Sequence, residues 1–170
     1  MPLQILLIGI GNEYRGDDGA GLAAIRALQA KGLPGTLFKE CTSDGADLME
    51  MWSEAKMVIL IDAVSSGGNP GAIYRFDALK QPIPAQLSFQ STHVFGVAEA
   101  IELARVIDQL PPSLIVYAIE GKNFCAGVGL SSEVEKALQE VVEQMACEVG
   151  SRVGTDPCDP FTRNPHYGTT

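Results

Sequence analysis

Positive charge is scarce in this chain. Lys and Arg number 12 against 21 Asp and Glu, a net charge of −9, and they form no run. A protein that grips a phosphate backbone draws most of its affinity from clustered cations, so nucleic acid is not an expected partner. Histidine is scarcer still, with only His93 and His166. The cysteines are Cys41, Cys125, Cys147 and Cys158, and no two stand in a C-x-x-C pair. That spacing argues against a zinc knuckle or a thioredoxin-type redox site, and free thiols in a reducing compartment are expected. Long apolar runs are missing too: no segment approaches the roughly 20 residues of a membrane-spanning helix. The start, MPLQILLIGIG, lacks the basic leading region of a signal peptide. The expectation is a cytoplasmic protein with no membrane segment.

What is present is ordinary for a globular domain. A chain of 170 residues fits one domain that buries roughly two thirds of its surface on folding. Apolar runs without alternation, LQILLIGI, MVILIDAV and SLIVYAIE, read as parallel strands buried on both faces. TLFKECT reads as a weaker strand, and GAIYRFDA as a strand of mixed polarity near an edge. Helical spacing covers residues 18–31, 44–56, 94–109 and 131–149. Asp17 or Asp18 is the expected N-cap of the first helix, Gly32 with Pro34 its stop, and the serines of SSEVE the cap of the last. LKQPIPAQLSFQ reads as an irregular connection. Strands separated by helices imply an α/β fold, a mostly parallel sheet covered on both faces. Residues 1–150 form the expected single domain. Residues 151–170, rich in Pro, Gly, Thr and Asp and without periodicity, form an expected flexible tail.

In open α/β sheets, ligands bind beyond the carboxyl ends of the strands. Here the first strand runs into GIGNEYRGDDGAG, the strand MVILIDAV carries Asp62, and SLIVYAIE ends at Glu120. His93, in QSTHVFG, precedes the third helix. A dinucleotide site does not fit, because the third glycine of G-x-G-x-x-G falls on Tyr14. A P-loop does not fit either, since the chain reads GDDG where G-K-[ST] is needed. The paired Asp17 and Asp18 would repel a phosphate. The glycines allow a tight turn with close backbone approach, and Asn12 can close it by bonding to the main chain.

Asp18, Asp62 and His93 together would offer two carboxylates and an imidazole. That set suits zinc, nickel, iron or manganese with positions left open. Each residue also has a structural alternative: Asp18 as a helix cap, Asp62 as a loop cap, His93 as a core histidine. Asp18 and Asp62 could also form an aspartic dyad, which leaves His93 without a role. Serine or cysteine catalysis has little support, since no G-x-S-x-G elbow is present and nothing marks Cys125 as activated.

Three blocks, ILLIGIGNEYRGDDGAGLAAIRAL, VILIDAV and STHVFG, occur in the order and approximate spacing of a known family, and GLSSEVEKAL matches it as well. The sequence resembles the hydrogenase maturation endopeptidases over residues 3–149. The resemblance implies a three-layer αβα sandwich. It also implies that Asp18, Asp62 and His93 contact metal and form the catalytic site. The first of these is often glutamate in the family, and aspartate here is one methylene shorter. The implied reaction removes the C-terminal extension of a nickel-iron hydrogenase large-subunit precursor after nickel insertion. Nickel would come with the precursor, although another divalent metal would suit the same groups. The alternative is a non-hydrolytic nickel-site chaperone or sensor that binds the immature subunit.

Overall fold

The computed structural model describes residues 4–42, 45–84, 87–89 and 96–154. From β1 (Ile5–Ile10) the chain passes through a 3-10 turn, Gly16–Gly19, into α1 (Ala20–Lys31). It continues through β2 (Thr36–Cys41), α2 (Gly45–Trp52), β3 (Met57–Ser65), β4 (Ile73–Asp77) and β5 (Ser88–Phe89). It ends with α3 (Val97–Val106), β6 (Ser113–Glu120) and α4 (Ser132–Val153). The main sheet has the order β2-β1-β3-β6-β4, with β5 paired to β3. Strands β1, β2, β3 and β6 run parallel, while β4 and β5 are antiparallel to their neighbours.

Alternation along the strands assigns the two faces. Ile5 and Leu7 of β1, Ile59 and Ile61 of β3, and Ile115 and Ile119 of β6 pack with α1 and α4. Leu6 and Ile8, Val58 and Leu60, and Leu114 and Val116 pack on the other face with α2 and α3. Burying one such side chain contributes about 1.5–3 kcal/mol relative to leaving it in water. A strand apolar on both faces therefore gains twice per pleat, which is why these runs do not alternate with polar residues. The result is the three-layer αβα sandwich with a mostly parallel central sheet.

Several boundaries differ from the sequence-based expectation. The first helix starts at Ala20 rather than residue 18, and Gly19 occupies its N-cap with no side-chain bond. The 3-10 turn takes the two aspartates instead, and the Asp17 side chain is bonded to Lys122, Asn123 and Ser131 rather than to the helix. Gly32 does end the helix, in the left-handed conformation. The second helix is shorter than expected and ends at Trp52. The third stops at Val106 and not at 109, and Asp108 follows at φ 56°. Part of the supposedly irregular connection pairs with the end of β3 as β5. The last helix continues to Val153, past the expected boundary at 150. The tail from residue 155 lies outside the described residues.

Register sets the site. Gly9 pairs with Ile61, the last of β1's partners on β3, while β3 runs on beside β6 as far as Val64 opposite Glu120. Asp62 therefore stands just where β1 has turned away into its loop. The turn depends on two glycines. Gly11 has φ 148°, and a Cβ there would strike the carbonyl of Asp18. A Cβ at Gly21 would strike the carbonyl oxygens of Ile10 and Ile61. Gly21 thus lets the first turn of α1 lie directly on β1 and β3.

Gly21→Ala sets two effects against each other. Alanine improves helix propensity by about 1 kcal/mol. Overpacking against fixed backbone carbonyls costs about 1–3 kcal/mol or more. The clash should win, so urea unfolding of Gly21→Ala should show a lower midpoint than wild type. A raised midpoint would contradict this packing.

Candidate active site

The loop after β1 closes on itself through its main chain. The Asn12 N–H donates to the Asp18 carbonyl at 3.1 Å, and the Arg15 N–H to the Asn12 carbonyl at 3.2 Å. The Asn12 side chain accepts from the Tyr14 N–H at 3.0 Å, the turn closure its sequence position suggested. The loop is also joined to the connection between β6 and α4. Gly16 N–H donates to the Gly127 carbonyl, Gly127 N–H to the Tyr14 carbonyl, and Asp17 N–H to the Asn123 carbonyl, each at 2.8 Å.

Asp17 completes the junction with its side chain. It is fully buried. Its carboxylate accepts from the backbone N–H groups of Lys122 at 2.8 Å, Asn123 at 2.9 Å and Ser131 at 2.7 Å, and from the Ser131 hydroxyl. Burial alone would raise its pKa, but the Ser131, Asn123 and Lys122 backbone donors and the Ser131 hydroxyl together hold it below the usual value. Ser131 does stand at the N-cap of α4, yet its hydroxyl serves Asp17 and makes no cap bond to its own helix. Sequence reasoning assigned both residues as caps and missed their bond to each other.

Asp18 and Asp62 lie in a different environment. Their relative exposures are only 5% and 3%. Burial pushes the Asp18 carboxyl up to about 6, opposed by the charge of Arg15 and by the Asn12 N–H. Asp62 is raised well above the usual range, first by burial and then by the negative charge of Asp18, with the Ala63 N–H opposing. That N–H donates to Asp62 Oδ1 at 2.7 Å. The charge of Asp18 thus bears on the buried Asp62. Glu120 does not join them. Its carboxylate accepts from the Ser66 N–H at 2.8 Å and from the Ser66 hydroxyl, so it fastens the loop after β3.

His93 lies outside the described residues. Among the described residues, no group of three or more His, Cys, Asp or Glu is placed to hold a metal. Two carboxylates of the expected three-residue set come together. Cys125 is exposed and Cys41 is buried. Among the described residues, no helix is long and apolar enough to cross a membrane.

Comparison with known proteins supplies the family context. A family model described as hydrogenase maturation protease matches residues 40–148. The chain is 30% identical over 157 residues to a putative hydrogenase maturation protease of Methanocaldococcus jannaschii, covering 86% of this chain and 96% of that one. The solved structure of the nickel-iron hydrogenase maturation protease HybD from Thermococcus kodakarensis superposes with a TM-score of 0.64 at 25% identity, covering 84% of this chain and 96% of that one. The maturating endopeptidase HybD of Escherichia coli shares the fold, with a TM-score of 0.73 at 21% identity over 89% of this chain and 94% of that one.

The paired aspartates should respond oppositely to neutralisation. In Asp17→Asn an amide NH2 would face backbone donors, and stability should fall by about 3 kcal/mol at neutral pH. Because the folded pKa of Asp17 is lowered, its contribution is full above the unfolded value of about 3.9 and fades as pH falls through the folded value. The gap between wild type and Asp17→Asn should therefore stay constant down to about pH 5 and begin to narrow below about pH 4. For Asp18 the folded pKa is raised, so ionisation costs stability above about 6, and the cost is absent below the ordinary 3.8. Asp18→Asn should raise the melting temperature at neutral pH, and the gain should vanish by about pH 4. Thermal melts from pH 3.5 to 8 check both signs.

Proposed function

This chain belongs to the hydrogenase maturation proteases and is a peptidase, and on that premise we propose that it makes a single cut in the precursor of a nickel-iron hydrogenase large subunit. The cut removes the precursor's C-terminal extension after nickel has been inserted, and it takes place in the cytoplasm. Nickel is cargo carried by the substrate, and the protease reads its presence. The observation that carries this reading is that Asp18 and Asp62 are both buried, with the charge of Asp18 helping to raise the pKa of Asp62.

The donor set fits a divalent cation. Two carboxylates held out of water and close together are each disfavoured in their charged form. A divalent ion held by Asp18 and Asp62 would offset both the desolvation and the repulsion. A cation held there supplies Lewis-acid chemistry at the scissile carbonyl or to a water. The rest is done by the chain's own groups. Asp18 and Asp62 bind and orient the nickel-bearing end of the precursor. The Asp17 junction fixes Asp18 in place, because the two are consecutive in one 3-10 turn. Holding a scissile bond in one geometry is itself a large rate factor. His93 completes the proposed ligand set. It precedes α3 in the sequence, and α3 packs on the sheet face shared by Val58, Leu60 and Val64 of β3, to which Asp62 belongs by alternation.

The non-hydrolytic chaperone reading would use the same residues for binding alone, but membership of a protease family favours cleavage. The intact mass of a large-subunit precursor, nickel-loaded or nickel-free, distinguishes the outcomes. Loss of one C-terminal peptide from the loaded form alone is expected. Cleavage of both forms would remove the nickel check, and binding without cleavage would restore the chaperone. Asp62→Ala, with an unchanged circular dichroism spectrum, should slow cleavage at least about a hundredfold. A wild-type rate would remove Asp62 from the site.

A further inference from the structure

The acid pair has a partner of its own. Arg15 Nη1 lies 3.9 Å from Asp18 Oδ2, with side-chain exposures of 28% and 6%. Among the described residues, Arg15 is the only cation in an ion pair with either Asp18 or Asp62. At that distance the contact is ionic and not a hydrogen bond. The chain makes tighter arginine pairs elsewhere. Arg26 grips Glu40 with two bonds of 2.8 and 3.1 Å.

The backbone of Arg15 is held firmly by comparison. Its N–H donates to the Asn12 carbonyl and its carbonyl accepts from the Asp18 N–H, both at 3.2 Å, and it forms an isolated parallel bridge with Gly127. A fixed backbone with a loosely attached, partly exposed guanidinium describes a cation that reaches Asp18 but can leave it.

We propose that Arg15 is the resting counter-ion of Asp18 and that it excludes free divalent ions from the acid pair, reserving the pair for metal presented by the protein substrate. This rests on the reading of Asp18 and Asp62 as the metal-recognising groups. A free hydrated ion must displace the guanidinium with its own contacts alone. A metal held in a precursor arrives with the docking energy of a whole protein surface, and binding energy from remote contacts can offset a local displacement. Arg15 is in this sense a selectivity residue: it lowers the affinity of the empty protease for loose metal without removing the carboxylates that read metal in the substrate.

Isothermal titration with Ni2+ alone tests this on the full chain at pH 7.5. Arg15→Gln should bind Ni2+ about tenfold more tightly than wild type, as expected when a competing ion-pair partner is removed. Arg15→Lys, which keeps the charge, should stay near wild type. Adding Asp18→Asn to Arg15→Gln should abolish the gain. Arg15→Met, which keeps the apolar stem, provides the same comparison if Arg15→Gln folds poorly. Ni2+ affinity in Arg15→Gln equal to or weaker than wild type, including no binding by either, would overturn the proposal. So would a gain that survives Asp18→Asn, because the ion would then sit elsewhere. Nickel-dependent cleavage of a precursor by the wild-type protein is read separately by the mass measurement, so failure of this proposal and failure of the proposed function are distinguishable.

Discussion

The carboxylate of Asp17 ties together two stretches of chain that are more than 100 residues apart, accepting from Lys122, Asn123 and Ser131. The turn after β1 and the loop before α4 have no other side-chain anchor of comparable strength among the described residues. Charge-assisted bonds to backbone N–H groups are roughly twice as strong as neutral ones. Buried, they also relieve donors that would otherwise lack water. The junction fixes the 3-10 turn, the turn aims Asp18, and the same loop contacts hold the backbone of Arg15. Adjacent aspartates therefore have opposite electrostatic characters. One is over-supplied with donors, and the other is left facing a second carboxylate.

That contrast explains how an unfavourable pair persists. Burying an ionised carboxylate without full compensation costs several kcal/mol. Around Asp62 stand Val58, Ile59, Leu60, Ile61 and Val64, all essentially inaccessible to water. Each such side chain contributes about 1.5–3 kcal/mol by its burial, so the central strand can carry one strained acid and remain folded. Sites that store such strain are stabilised when the charge is removed and lose function with it. In the proposed function the acids are groups held ready for a cation rather than a settled part of the core.

Much of this was legible in the chain. Unbroken apolar runs identified β1, β3 and β6, because a strand buried on both faces has no place for polar residues. An aspartate within VILIDAV stood out for the same reason, and the GDDG turn marked the neighbouring loop. The junction made by Asp17 was not legible. Its partners are 105, 106 and 114 residues away, and no local pattern encodes a contact at that range. Local propensity instead assigned both Asp17 and Ser131 to helix caps, the commonest use of those residues before a helix. The two-residue strand β5 was too short to show a period. Arg15 left a faint signal, a cation three residues before Asp18, but spacing alone did not indicate which of the neighbouring acids it would reach.

The proposed site depends on Asp18 and Asp62 being a buried, electrostatically linked pair in the free protein. Carbon-13 NMR of the aspartate carboxyls, titrated from pH 3 to 9 with Asp18→Asn and Asp62→Asn used for assignment, measures this directly. The expected result is that Asp18 titrates near 6, that Asp62 titrates well above the ordinary aspartate range, and that Asp62 shifts downward in Asp18→Asn. Two independent titrations near 4, indifferent to each other's substitution, would contradict it.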